Sequence, residues 1–249
     1  MLRWFTAMTT KRLLGVSVVG LMWLSILFTA PRGFASDGPL RYEVTVTNLT
    51  QGQPLTPAVV VTHTSDFRPL FIAGEPASPE LIAIAEDANV EPMVQLLSQD
   101  SNVRDVVVLQ GTAPLPTPPE GPGGFAIRPG ESASVVVKFG GRAKFVSLVG
   151  MLANTNDAFY ALSGVAGPSR EVITYYEIAW DAGSEENNED CQFVPGPFCT
   201  HFFARATQGA EEFVYVHSGM HGVGNLVPAL HDWRNPVAKI AIRRLHLDD

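Results

Sequence analysis

His217 and His221 stand four residues apart, and His231-Asp232 follow shortly after. On a helix that spacing puts two imidazoles on one face, where they could hold a zinc ion and activate water for hydrolysis. The neighbouring residues argue against such a helix. Phe213-Val214-Tyr215-Val216 reads as a strand that His217 closes, and Gly219, Gly222 and Gly224 surround His221. No Glu stands beside His217 to act as general base. Packing or turn hydrogen bonding is therefore the leading expectation for these histidines, and a secreted metal-dependent hydrolase using His217, His221 and His231 is the alternative. The sequence has no nucleophile elbow, phosphate loop or dinucleotide fingerprint, and Ser163 in Ala161-Leu162-Ser163-Gly164 reads as a turn residue.

The acids offer a different chemistry. Asp181 and Glu185 flank Ala182-Gly183-Ser184, small residues that let the chain turn tightly enough for both carboxylates to converge, with Gly183 free to take positive φ. Such a turn suits a hard cation with oxygen ligands. Asp157 closes the polar run Asn154-Thr155-Asn156-Asp157 directly after an apolar stretch, where a sandwich places end-loop ligands. The alternative is a solvated acidic edge, since Glu186, Glu189 and Asp190 lie in the same polar run. Cys191 and Cys199 are the only cysteines. An even count in an exported chain favours a disulfide, and their spacing does not match the tight pairs of zinc knuckles or redox motifs.

Strands must position these groups. Tyr42–Thr47 alternates with period two and is rich in β-branched residues. Similar signals run over Ala58–Thr62, Val103–Leu109, Ala133–Phe139, Phe145–Leu152, Glu171–Trp180, Glu212–His217 and Val237–Arg243. Proline recurs too often in Thr112–Gly124 for helix or central strand, which makes it a surface loop or a linker. One helix starts at Ser78 as cap with Pro79 in its first turn and ends near Asn89, and a short second one follows through Leu97. Many short strands without regularly alternating helices predict an all-β fold, an antiparallel β-sandwich with one or two short helices inserted.

Lys11-Arg12 precede the uncharged, apolar stretch Leu13–Ala30, and Gly33-Phe34-Ala35 supplies small residues at cleavage spacing. This predicts a signal peptide over residues 1–35 and a single domain over 36–249, secreted, periplasmic or at the cell surface. An uncleaved anchor is the alternative, and the signal segment would then be the only contact with a membrane. Lys and Arg number 17 against 25 Asp and Glu, a formal charge of −8, which argues against a nucleic-acid partner. With 46% hydrophobic residues the chain has enough apolar material for a sizeable core. Asn48-Leu49-Thr50 is a formal glycosylation sequon.

The run Tyr42–Thr50, then Gln53-Pro54-Leu55-Thr56-Pro57 and Val61-Thr62-His63, resembles the opening of spondin domains. Gly74-Glu75-Pro76-Ala77-Ser78 leading into Leu81–Glu86 continues the likeness, and Trp180-Asp181-Ala182-Gly183-Ser184 is similar to that family's acidic turn. The resemblance spans roughly residues 41–185, and the tail from Glu186 onward resembles bacterial members more than the animal modules of F-spondin and mindin. It implies a C2-like antiparallel β-sandwich with a calcium ion (Ca2+) held in loops at one end. Mapped by position, the family's ligands fall on Asp157, Asp181 and Glu185, the last a Glu where the family has Asp. The loop around Asp157 also lacks the pattern of the animal members. The expected function is a non-enzymatic, exported calcium-binding module for surface or extracellular recognition and adhesion, its partner an extracellular or cell-surface ligand. A structural envelope protein with no bound ion is a third reading.

Overall fold

The computed structural model describes residues 40–115, 124–199 and 204–246. The export signal expected over 1–35 and the centre of the Pro-rich run Thr112–Gly124 lie outside the described residues. The chain forms β1 (Leu40–Asn48), β2 (Leu55–His63), α1 (Pro79–Asp87), α2 (Glu91–Ser98), β3 (Val103–Leu109) and the short pair β4 (Ala113–Pro114) and β5 (Phe125–Ala126). It continues through β6 (Ser132–Phe139), β7 (Phe145–Leu152), β8 (Ala158–Ala166), β9 (Val172–Glu177), β10 (Ala179–Asp181), β11 (Tyr215–Val216), α3 (Pro228–His231) and β12 (Ala238–Leu245). Among the described residues, no helix is long and apolar enough to cross a membrane.

Two antiparallel sheets form the predicted all-β sandwich, one ordered β6-β1-β12-β9 and the other β11-β10-β8-β7-β2-β3. Period-two alternation in β1 sends Tyr42, Val44 and Val46 inward, where they join Val137, Phe139, Ile240 and Ile242 from the same sheet and Val60, Leu148, Tyr160 and Leu162 from the other. The six-stranded sheet is covered on its second face as well. There Val59, Val61, Val149 and Phe159 pack against Leu81, Ile84 and Ala85 of α1 and Met93 and Leu97 of α2. A strand apolar on both faces has no alternation to show, and β2 is accordingly buried at every position.

The helix signals have direct counterparts. The Ser78 hydroxyl accepts the Leu81 amide at 3.2 Å, Pro79 occupies the first turn, and Ala88 ends α1 in the left-handed region at φ 56°. The loops at the sandwich end are pinned by buried amides. Asn48 donates from Nδ2 to the carbonyls of Gln53 (2.7 Å) and Ile127 (2.9 Å), while its Oδ1 accepts from both the amide and the hydroxyl of Thr50. Gln53 donates to His231 O at 2.7 Å and accepts the Asn154 amide at 3.1 Å, tying the loop before β8 to the loop before β12.

Three expectations change. Glu171–Trp180 is two strands: β9 joins the four-stranded sheet and β10 the other. The strand expected over Glu212–His217 shortens to β11. Ser163 belongs to β8, next to an irregularity in the β7–β8 register and Gly164 at φ 58°.

Candidate functional site

Asp157 immediately precedes β8 and Asp181 ends β10, and the register pairs Asp181 with Ala158. The Ala182 amide then donates to the Asp157 carbonyl at 3.2 Å, so the two acids sit on adjacent strand ends. Both are fully buried, as is Glu185. The solvated acidic edge considered from sequence is therefore not what these three form.

Each carboxylate has a distinct set of partners. Asp157 Oδ2 accepts from the Ser184 amide (2.8 Å), the Ser184 hydroxyl (3.1 Å) and the Glu185 amide (3.0 Å). Its Oδ1 is buried and has no hydrogen-bond partner. Burial and the neighbouring charge of Asp181 together push Asp157 well above the usual carboxylate range. Asp181 Oδ1 accepts the Gly183 amide at 2.8 Å and Oδ2 accepts Asn187 Nδ2 at 2.6 Å. Burial raises Asp181 as well, although the Asn187 and Gly183 donors oppose it. Gly183 is required here, at φ 65° and with a hypothetical Cβ only 2.2 Å from Phe213 O.

Glu185 does not complete the expected trio. Its amide supports Asp157, but Oε1 turns to the Ala206 amide at 3.1 Å and Oε2 to Asn156 Nδ2 at 3.4 Å. Burial, followed by the charge of Glu86, lifts it to about 7. Among the described residues, no three His, Cys, Asp or Glu side chains are arranged to hold a metal ion. The physical reason is local: a chain segment arriving some twenty residues later supplies Glu185 with an amide partner of its own, and a satisfied carboxylate has little reason to crowd two others.

Sequence reasoning missed the groups around this pair. Tyr215 and Val216 pair with Asp181 and Trp180, and the His217 amide continues that ladder to Ala179 O at 3.1 Å. The alternation of a strand thus puts Tyr215 and His217 on the same face as Asp181, Tyr215 directly across from it and His217 diagonally. Tyr215 Oη takes the Asn187 amide at 2.9 Å, and His217 Nε2 lies 3.7 Å from Asp181 Oδ2. A second missed group is Arg205, which pairs with both Glu86 and Asp87 at the end of α1. Two acids in the last turn of a helix, with no cation beside them, were a readable sign that a partner must come from elsewhere.

The three histidines do not share one site: His217 and His221 line one cavity, and His231 is not among its lining residues. His217 Nδ1 accepts the Gly219 amide at 2.9 Å, which leaves the proton of the neutral ring on Nε2. A zinc ligand at Nε2 would need the opposite tautomer and would set two N–H groups against each other at Gly219. Burial, with the nearby His221, lowers His217 to about 4, so the ring is neutral at pH 7. His231 is buried, with Nδ1 at Val227 and its ring against Phe198. His221 lies in an exposed loop whose amides, together with those of Gly222 and Val223, point at the buried carboxylate of Glu189. A cavity of about 410 Å3 adjoins His217 and is lined by His221, Asp232, Trp233 and Arg234.

Cys191 and Cys199 form the expected disulfide and close the segment that follows the acidic turn. Inside that closed segment the Phe198 amide donates to Asn154 Oδ1 at 3.2 Å, so the disulfide loop also braces the loop carrying Asp157. Neither a protein-family model nor a curated protein matches this chain.

Proposed function

We propose that the chain is a non-enzymatic, exported β-sandwich that binds calcium between Asp157 and Asp181 and uses that end of the sandwich for surface or extracellular recognition. The observation that carries this reading is the Asp157 Oδ1 atom. It is a buried carboxylate oxygen without a partner, on a residue that also feels the charge of a second buried carboxylate, Asp181. Such an arrangement needs a cation or a shared proton, because an uncompensated buried charge is costly. Asp157 and Asp181 fit a hard cation by their chemistry: both are oxygen donors on short, braced loops, and backbone carbonyls and water would have to complete the shell of 6 to 8 oxygens that calcium takes. Glu185 fits a supporting role, holding the second loop through its amide to Asp157 and its carboxylate to Ala206. The likeness to spondin domains and the export signal expected from sequence favour an extracellular role and a cell-surface or matrix ligand.

A bound cation would neutralise the pair and fix the loops before β8 and after β10 relative to each other. Recognition then falls to the side chains those loops expose, since the strands are committed to the core. Thermal melting in millimolar calcium and in excess chelator tests the reading. At a free concentration 100 times the dissociation constant, calcium should add about 2.7 kcal/mol. Equal melting temperatures in the two buffers, with no calcium in the purified protein, would assign the pair to a shared proton and defeat the proposal.

A further inference from the structure

The helices cover the outer side of the six-stranded sheet, and the two sheets cover each other. Among the described residues, the outer face of β6-β1-β12-β9 is the sheet surface left to solvent. Alternation fixes what it displays: inward Tyr42, Val44, Val46, Ile240 and Ile242 leave their odd-numbered neighbours pointing out. The registers set Arg41 opposite Lys138 on one side, Glu43 opposite Arg243, and Thr47 opposite Lys239. Four cations and one carboxylate thus occupy this face of a chain whose overall charge is −8. Glu43 is engaged by Arg243 at 3.3 Å, and at the β6 edge the Asp105 carboxylate accepts the Lys138 amide at 2.8 Å, so the excess positive charge comes chiefly from Arg41 and Lys239, with Lys138 beside Asp105.

Hydroxyls fill the space between the charges. Thr45 pairs with Ser134 at 2.7 Å and Thr47 with Ser132 at 2.8 Å, and each pair keeps a hydrogen to donate outward. Tyr176, opposite Lys239, is 63% exposed. From the row of Arg41 to that of Lys239 the face runs about 20 Å at ~3.4 Å per residue.

We propose that this face binds a linear anionic polysaccharide, one carrying carboxylate or sulfate groups on its sugars. Cations separated by hydroxyl pairs match a polymer whose charges are separated by hydroxyl-bearing rings, and Tyr176 offers a flat apolar surface beside Lys239 on which a ring can stack. A polyphosphate chain fits less well, because so few cations neutralise few phosphates while the rest of the protein repels the chain. A negatively charged bilayer fits less well too, since Glu43 at the centre of the face would be pressed against it. The inference does not depend on the calcium reading.

The test uses the whole chain, in chelator so that calcium cannot bridge protein and polymer, with polygalacturonate and dextran sulfate as probes and neutral dextran as control. Binding to both anionic polymers but not to neutral dextran is expected, weakening as salt rises. The double variant Arg41→Gln, Lys239→Gln should bind about 10-fold more weakly, with a salt slope smaller by about 2 and an unchanged melting temperature. Tyr176→Ser should weaken binding at an unchanged slope, and Asp157→Asn should leave it unaffected. Absence of binding at low salt, or undiminished binding by the double variant, overturns the proposal. Tighter binding to phosphatidylserine vesicles or single-stranded DNA than to either polysaccharide overturns it equally and assigns the face to that partner.

Discussion

Asp157→Asn converts the orphaned oxygen of the carboxylate pair into a donor. The side-chain carbonyl of Asn can keep the three hydrogen bonds that Oδ2 accepts from Ser184 and Glu185, and its amide then replaces the orphaned oxygen within reach of the Asp181 charge. One substitution removes a like-charge repulsion and adds a hydrogen bond to a charged acceptor, worth about 2 kcal/mol in stability. For a domain of this size that corresponds to roughly 4–8 °C in melting temperature. In chelator at pH 7.5 the variant should therefore melt above the wild type, and calcium should no longer stabilise it. The pH dependence gives an independent sign. Burial and Asp181 hold Asp157 above its ordinary value, so the folded wild type binds more protons than the unfolded chain. Its stability from this group is full below the ordinary carboxylate range and is lost as pH rises through the raised value. His217 acts oppositely: lowered from 6.5 to about 4, it costs stability as pH falls through that window. Because both proteins contain His217, the difference between their melting temperatures reports the Asp157–Asp181 pair and should grow from pH 4 upward. Differential scanning calorimetry across pH 4–8 measures it. An Asn variant that melts below the wild type at pH 7.5 in chelator would refute the account of the pair.

Arg205→Met should leave Glu86 and Asp87 buried without their cation and cost about 3 kcal/mol by urea denaturation. Because burial raises Glu86, that loss should shrink as pH is lowered and Glu86 takes up a proton. Replacing Cys191 and Cys199 by Ser together should cost about 2–3 kcal/mol, and intact mass should shift on alkylation only after reduction. Gly183→Ala should destabilise by about 2 kcal/mol or more, because its Cβ meets the Phe213 carbonyl in a backbone conformation that alanine resists; equal unfolding midpoints would contradict the turn geometry.

The strands with one dominant signal were legible. Val103–Leu109 and Phe145–Leu152 are β3 and β7 residue for residue. β8 was not, because Ala158–Leu162 is buried on both faces and shows no alternation, and Ser163-Gly164 imitates a turn. That omission also hid how the two acids come together. Asp157 and Asp181 meet through the pairing of β8 with β10, which cannot be deduced when one of the two strands is unread. The turn at Gly183 was visible because glycine beside an acid has a local conformational meaning. The orientation of Glu185 was not, since it is decided by Arg205 and Ala206, residues distant in sequence whose amide and charge arrive only with the tertiary fold.

The bonding of Asn48 has a consequence for the order of events in synthesis. Both hydrogens of its amide nitrogen are spent on Gln53 and Ile127, and the side chain is wholly enclosed. The Thr50 hydroxyl that completes the sequon is likewise committed to Asn48 and Gln53. A folded molecule therefore offers this sequon no acceptor. A glycosylating host could attach sugar only to the nascent chain, and the attached sugar would replace one of those two hydrogens and block closure of the loop between β1 and β2. Such a host would divide its product into a bare, folded fraction and a glycosylated one that cannot complete this end of the sandwich.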